Sequence, residues 1–341
     1  MKINLISDTV TQPDAGMLDY MLQAQVGDDV FKEDPTVNSL EEIVADLFGM
    51  EAGLFFPSGT MSNQTAIQLL TNPGEQLICD KWAHIHNFEG GGIALHSGVT
   101  TCIVEGNRGM ITAEQVEENI VSKAKFYSPF TSLVSVENTT NKGGGACYEL
   151  EELAEIKQVC DQNNLKFHLD GARIWNAMVA KKQQPKDFGV LFDTISVCFS
   201  KGLGAPVGSV LLGTRTAIDE AIRIRKRLGG GMRQVGYLAN ACLYALQHNV
   251  SRLHEDHQRA QELSAILTQL DWVESVEPTE TNIVIFTPIK KLNDQSVIDF
   301  LKTQNIYISS MGNRKLRMVT HKDYTQEMHE KTLSILSGIT I

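Results

Sequence analysis

Ser196-Val197-Cys198-Phe199-Ser200-Lys201-Gly202-Leu203-Gly204-Ala205-Pro206-Val207-Gly208-Ser209 is the stretch on which the reading of this chain turns. An apolar, β-rich run from Asp193 to Phe199 ends in Ser-Lys; glycines and a proline follow, and a second apolar run covers Val207 to Leu212. This places a lysine at the end of a strand, between two segments that ask to be buried. A solvated surface lysine has no need of such a setting. A desolvated amine has a lowered pKa and becomes a nucleophile that condenses with carbonyls, the aldehyde of pyridoxal phosphate among them. A strand-end lysine that simply reaches out to water is the competing reading, and the rest of the chain decides between them.

Outward from this stretch, strands alternate with helices at intervals of about 20–30 residues between 50 and 213, the pattern of an α/β protein with a mostly parallel sheet. Ligands of such sheets lie outside the carboxyl ends of the strands. Lys166-Phe167-His168-Leu169-Asp170 predicts a strand ending in a carboxylate, and Ser132 to Thr139 a strand ending in Glu137-Asn138. Leu54-Phe55-Phe56-Pro57 leads through Ser58-Gly59-Thr60 into a helix from about Met61 to Leu70. Strand, glycine turn and helix start make an anion site, because free N–H groups and the positive end of the helix meet there. Three requirements of pyridoxal phosphate are thus met at strand ends: Lys201 for the aldehyde, Asp170 to keep the ring nitrogen protonated, and Ser58-Gly59-Thr60 for the phosphate. His84 and His86 flank a glycine-rich turn, where a histidine can lie against a planar group; two His at i and i+2 are a poor metal pair, and no metal is expected.

Composition narrows the class. The chain has 341 residues and a net charge of −11, with pI about 5.3, which speaks against a nucleic-acid partner. No run approaches the roughly 18 apolar residues of a membrane span, and the N-terminus lacks the pattern of a secretory signal. Six scattered cysteines without a Cys-x-x-Cys pair read as reduced thiols of a cytoplasmic protein. The expected organisation is an N-terminal arm (1–14), a large α/β domain (15–250) and a smaller C-terminal α+β domain (251–341).

Several motifs carry a resemblance. Ser7-Asp8-Thr9-Val10-Thr11, Val26-Gly27-Asp28-Asp29-Val30, Glu33-Asp34-Pro35-Thr36-Val37-Asn38, Pro57-Ser58-Gly59-Thr60-Met61, Glu137-Asn138-Thr139, Asp170-Gly171-Ala172-Arg173, the Lys201 stretch, Gly229-Gly230-Gly231-Met232-Arg233-Gln234 and Arg317-Met318-Val319-Thr320-His321 resemble, in order along the chain, the low-specificity L-threonine aldolase family. The resemblance implies the aspartate-aminotransferase-like fold (PLP fold type I), pyridoxal 5'-phosphate as cofactor, and a homotetramer, a dimer of dimers with shared active sites. It implies retro-aldol cleavage of L-threonine, L-allo-threonine and related β-hydroxy-α-amino acids to glycine and an aldehyde. By position, Lys201 becomes the Schiff-base lysine with Ser200 beside it, Ser58, Gly59 and Thr60 hold the phosphate, and Asp170 pairs with the ring nitrogen. His84 stacks on the ring and assists deprotonation. Arg173 contacts the ring hydroxyl or the substrate carboxylate, Ser7 and Arg317 hold that carboxylate, and Arg233, with Lys226, reaches a neighbouring subunit's phosphate. Ile6 stands where many relatives have Arg. Many also carry a second active-site His before the Glu-Asn strand end, and this chain has none between Asn107 and Phe167; the base is then His84, His86 or a held water. A β-eliminating lyase or a transaminase would use the same cofactor residues.

Overall fold

A computed structural model describes residues 1–339. Seven strands form its main sheet, in the order Ala52–Phe56, Ser209–Gly213, Thr194–Cys198, Lys166–Gly171, Thr131–Glu137, Gln76–Asp80 and Thr100–Val104. Ser209–Gly213 is antiparallel to both its neighbours, and all other pairings are parallel. The parallel strands read as continuous apolar runs because helices cover both faces. Their interior is one large cluster that includes Phe55, Ile78, Val134, Val136, Phe167, Leu169, Ile195, Val197, Phe199 and Val210.

Strand ends and helix starts follow local chemistry. The helix that opens the anion motif runs Gly59–Leu70, two residues earlier than its apolar spacing suggests, because Ser58 caps it: the Ser58 hydroxyl accepts from Met61 N. The helix Pro35–Phe48 has Asp34 as its cap and Pro35 in the first turn, where its missing N–H costs nothing. Gly49 closes it with φ 65°. The strand expected at 193–199 is shorter, Thr194–Cys198, so Lys201 sits three residues beyond it in a turn.

After the helices Arg215–Arg227, Gly236–His248 and Leu253–Leu267, a second sheet of four antiparallel strands follows: Ser309–Gly312, Lys315–Val319, Ile283–Pro288 and Val273–Val276. It has its own apolar cluster, with Leu263, Trp272, Phe286, Leu301, Leu316, Met318 and Tyr324. Ile3 and Leu5 belong to that cluster, and Ile3-Asn4 pairs in parallel with Ile306-Tyr307. The chain's first residues are thus built into the unit made by its last ones. Among the described residues, no helix is long and apolar enough to cross a membrane.

Candidate active site

The carboxyl ends of the parallel strands surround a cavity of about 280 Å3. It is lined by Thr9, by Pro57, Ser58, Gly59, Thr60 and Asn63, by His84 and Glu89, by Asp170 and Ala172, and by Cys198, Ser200, Lys201, Pro206 and Val207. Ser58, Gly59, Thr60, His84, Asp170, Ser200 and Lys201 therefore meet, as expected at a single edge of an α/β sheet. Ser7, Arg173, Arg233 and Arg317 do not line the cavity itself, and neither does His86.

Each wall has a physical basis. The start of the helix Gly59–Leu70 presents first-turn N–H groups without helical acceptors, beside two exposed hydroxyls. Gly59 is fixed by packing: a Cβ there would stand 2.6 Å from Cys198 Sγ. Asp170, in the strand Lys166–Gly171, is 2 % exposed. Its Oδ1 accepts from Ala172 N at 3.1 Å, while Oδ2 is buried with no partner among the described residues. An orphaned buried carboxylate oxygen is expensive to keep, and it matches a ligand that brings a positively charged N–H. Lys201 is half-buried, and its Nζ forms no ion pair or hydrogen bond among the described residues, while its carbonyl accepts from Thr11 Oγ1 and Gly204 N. Amine, orphaned carboxylate and helix start fit the aldehyde, ring nitrogen and phosphate of pyridoxal phosphate.

His84 opens the short helix His84–Asn87. Its Nδ1 lies 2.9 Å from Glu89 Oε1. A carboxylate only accepts, so Nδ1 carries a proton and, in the neutral ring, Nε2 keeps its lone pair. Burial works against the charged ring, but the bond to Glu89 and the charges of Asp170 and Glu137 outweigh it and hold the imidazole above its ordinary pKa. Glu89 is not legible as a site residue from the sequence, although it stands directly before the glycine turn Gly90-Gly91-Gly92; two of its partners come from a distant helix. Asn63 Nδ2 and Gln64 Nε2 donate to its two oxygens at 2.9 and 2.6 Å. Behind Asn63 lies His168, fully buried, with Nε2 3.2 Å from Asn63 Oδ1 and Nδ1 2.8 Å from Thr194 Oγ1. Burial lowers the His168 pKa to about 4, so the ring is neutral and structural. His84, Glu89 and Asp170 bring ligand-type atoms within 4.8 Å of one another, the one such group of three among the described residues that could hold a metal, yet His84 and Glu89 already satisfy each other.

Glu137, at the end of the strand Thr131–Glu137, is buried against this group. Burial and the charge of Asp170 raise its pKa to about 7. Its two oxygens accept from His84 N at 3.1 Å and Asn141 N at 3.0 Å.

The arginines stand in a second layer. Arg173 is buried and gives Nε and Nη2 to the two oxygens of Asp8, at 2.8 and 2.6 Å. Burial opposes the charge of Asp8, but Arg173 holds that carboxyl well below the usual range. Ser7 caps the turn Asp8–Val10 through Thr9 N, which places Thr9 in the cavity wall. Arg317 donates Nη1 to Asn141 Oδ1 at 2.8 Å and Nη2 to Ile6 O at 2.9 Å. Arg233 is exposed and paired with Asp28 at 2.6 Å. Next to Asn141, Lys142 Nζ lies 5.7 Å from the centre of the Phe88 ring and donates to Met311 O at 2.9 Å.

Residues 4–289 match the sequence profile of the beta-eliminating lyase family. The chain is 39 % identical over 326 residues to the low specificity L-threonine aldolase of Escherichia coli K12, covering 95 % of each. It is 37 % identical over 339 residues to low-specificity L-threonine aldolase 1 of Arabidopsis thaliana, covering 97 % of this chain and 94 % of that one. The fold matches the threonine aldolase of Leishmania major with a TM-score of 0.83 at 19 % identity, over 98 % of both chains. This is the aspartate-aminotransferase-like fold, PLP fold type I, expected from the sequence.

Proposed function

The chain belongs to the low-specificity L-threonine aldolase family, and from that premise we propose that it cleaves the Cα–Cβ bond of L-threonine, L-allo-threonine and related β-hydroxy-α-amino acids to give glycine and an aldehyde. The observation that carries the reading is the meeting of Lys201, the orphaned Oδ2 of Asp170 and the Ser58-Gly59-Thr60 helix start around one cavity. The cofactor is pyridoxal phosphate, which when bound supplies an electron sink conjugated to the substrate's amino nitrogen.

The chain's own groups do the rest. Lys201 supplies the amine that holds the cofactor, Asp170 its ring-nitrogen partner, and the helix start its phosphate cradle, with Ser200 beside Lys201. Arg317, with Ser7 nearby, holds the substrate carboxylate and so orients the bond to be broken. His84 Nε2 accepts the proton of the β-hydroxyl as the aldehyde leaves, and one proton returns to Cα to complete glycine. Glu89 keeps the other His84 nitrogen protonated, which supports this role. Arg173 serves through Asp8, whose partnership with it supports a place beside the carboxylate site rather than in it.

We also propose that the enzyme works as a homotetramer in the cytoplasm. Arg233 lies on the surface and outside its own chain's cavity, so a role for it at a phosphate needs a second copy. The division at residues 14 and 250 is likewise our reading, supported by separate apolar clusters under the two sheets.

Acetaldehyde and glycine, measured in parallel from L-threonine and L-allo-threonine, test the reaction. Equal amounts of the two products are expected. Pyruvate and ammonia from L-serine, or 2-oxobutyrate and ammonia from L-threonine, without acetaldehyde, would move the enzyme to β-elimination.

A further inference from the structure

Two arginines stand beside the cavity, and they are held differently. Arg173 faces both oxygens of Asp8, so its charge is answered by a carboxylate. Arg317 is held by two neutral acceptors, the side-chain oxygen of Asn141 and the backbone carbonyl of Ile6. Its Nε is buried without a partner, and it makes no ion pair with a carboxylate among the described residues. Asn141 Oδ1 also lies 3.5 Å from Arg173 Nη1, so one amide oxygen touches both guanidinium groups. Burial and the nearby charge of Arg173 press the Arg317 pKa down to about 10, which still leaves it cationic near neutral pH. A half-buried cation without a counter-ion is poised for an anion that comes and goes.

Asn141 is itself fixed. Its N–H donates to Glu137, whose other oxygen accepts from His84 N. The loop that carries it closes through Thr140 N to Ala146 O and Gly145 N to Thr140 O. Thr140 Oγ1 donates to Arg108 O, and a Cβ on Gly143 would stand 1.7 Å from that same oxygen. The glycine run 143–145 is therefore packed, and it delivers Asn141 to one place.

Building on the reading of Arg317 as the holder of the substrate carboxylate, we propose that Asn141 is a positioning residue that aims the Arg317 guanidinium while leaving its charge for the substrate, and that Glu137 ties this aim to His84. The chemistry explains the residue type. An amide oxygen orients a guanidinium without neutralising it. A carboxylate in the same place would keep the hydrogen bond and compete with the substrate's own carboxylate.

The test uses the cofactor-loaded enzyme, with Asn141→Ala, Asn141→Asp, Arg317→Ala and the Asn141→Ala/Arg317→Ala double variant. The readouts are KM and kcat for L-threonine, glycine affinity from the change in cofactor absorbance, and cofactor affinity. Asn141→Ala is expected to raise KM and the glycine Kd by about 10- to 100-fold, the scale of a misplaced binding group, with kcat and cofactor affinity changed far less. Asn141→Asp is expected to bind glycine more weakly still, and to recover toward Asn141→Ala as the pH falls and the new carboxyl is protonated. In the Arg317→Ala background the Asn141→Ala change should add almost nothing. An additive loss in that background, or an Asn141→Asp enzyme equal to wild type, overturns the proposal. Should Asn141→Ala fold poorly, the near-isosteric Asp variant carries the test. A wild-type enzyme that makes no acetaldehyde and binds no glycine removes the underlying reading; a wild type that cleaves threonine beside an unimpaired Asn141→Ala removes only the role of Asn141.

Discussion

At the scale of single residues, the site turns on groups left without partners. Lys201 Nζ and Asp170 Oδ2 have none among the described residues, and each matches a part of the cofactor. Lys201→Ala should lose turnover by several orders of magnitude and lose the cofactor's absorbance; a fully active, coloured variant would remove Lys201 from its role. Glu89 makes a finer prediction. Its carboxylate helps to hold His84 above its ordinary pKa, and a base works only when unprotonated. Glu89→Gln should therefore shift the acidic limb of the kcat/KM profile to lower pH and reduce kcat by roughly 10- to 100-fold, in the range of a mispositioned acid–base group. A pH–rate profile on both enzymes checks it, and an unmoved limb would mean that another group titrates. Lys201, Asp170 and the hydroxyls were legible because a lysine, a carboxylate and a Ser-Gly-Thr turn at predicted strand ends already have a shared chemistry. Glu89 was not, because nothing in its own run tells that Asn63 and Gln64 reach it from another helix.

At the scale of elements, caps and glycines set where each functional group falls. Asp34 caps its helix through Val37 N and also accepts from Gly27 N and Gly236 N. Asp34→Ala abandons three donors, two of them in buried contacts, and should destabilise the protein by about 2–4 kcal/mol in chemical denaturation, more than a cap alone. A second test, at a glycine, lies in the loop that carries Asn141. Gly145 has φ 71°, and a Cβ there would stand 2.2 Å from Thr281 Oγ1. Gly145→Ala should cost about 1–3 kcal/mol in strain and displacement and should also weaken substrate binding; unchanged stability and KM would show that the loop yields easily. The sequence marks this run as flexible, since three glycines carry no local preference, yet the fold uses them because only glycine fits against Arg108 and Thr281.

At the scale of the whole molecule, one buried ion pair joins the N-terminal arm to the main sheet. Asp8 is fully buried and Arg173 nearly so. Removing one partner leaves a buried charge uncompensated, so Asp8→Ala should destabilise the protein by about 3–5 kcal/mol. The sign of the pH effect follows from the lowered Asp8 pKa. Its stabilisation is present above the ordinary aspartate pKa of about 4 and is lost progressively as the pH falls below it. Glu137 acts in the opposite sense. Its pKa of about 7 exceeds that of the unfolded chain, so the native state binds the extra proton between about pH 4.5 and 7, and stability falls as pH rises across that window. In the cofactor-free protein, Glu137→Gln should flatten this slope by up to about 1.4 kcal/mol per pH unit; an unchanged slope would mean that Glu137 titrates at its ordinary value.

The sequence by itself determined which strands end in chemistry. Apolar runs, caps and glycine turns act over a few residues, and they placed Ser58, Asp170 and Lys201 at the same edge of a parallel sheet. Only the tertiary structure decided which arginine keeps its charge free. Arg173 meets Asp8 across 165 residues of chain, and Arg317 meets Asn141 across 176. Arg173 stands at the start of the helix Ile174–Lys181 and Arg317 in the middle of the strand Lys315–Val319, and neither local pattern names its partner. A carboxylate reaches the first and an amide the second because two sheets and the chain's first residues close on one another, and that closure is a property of packing over the whole chain.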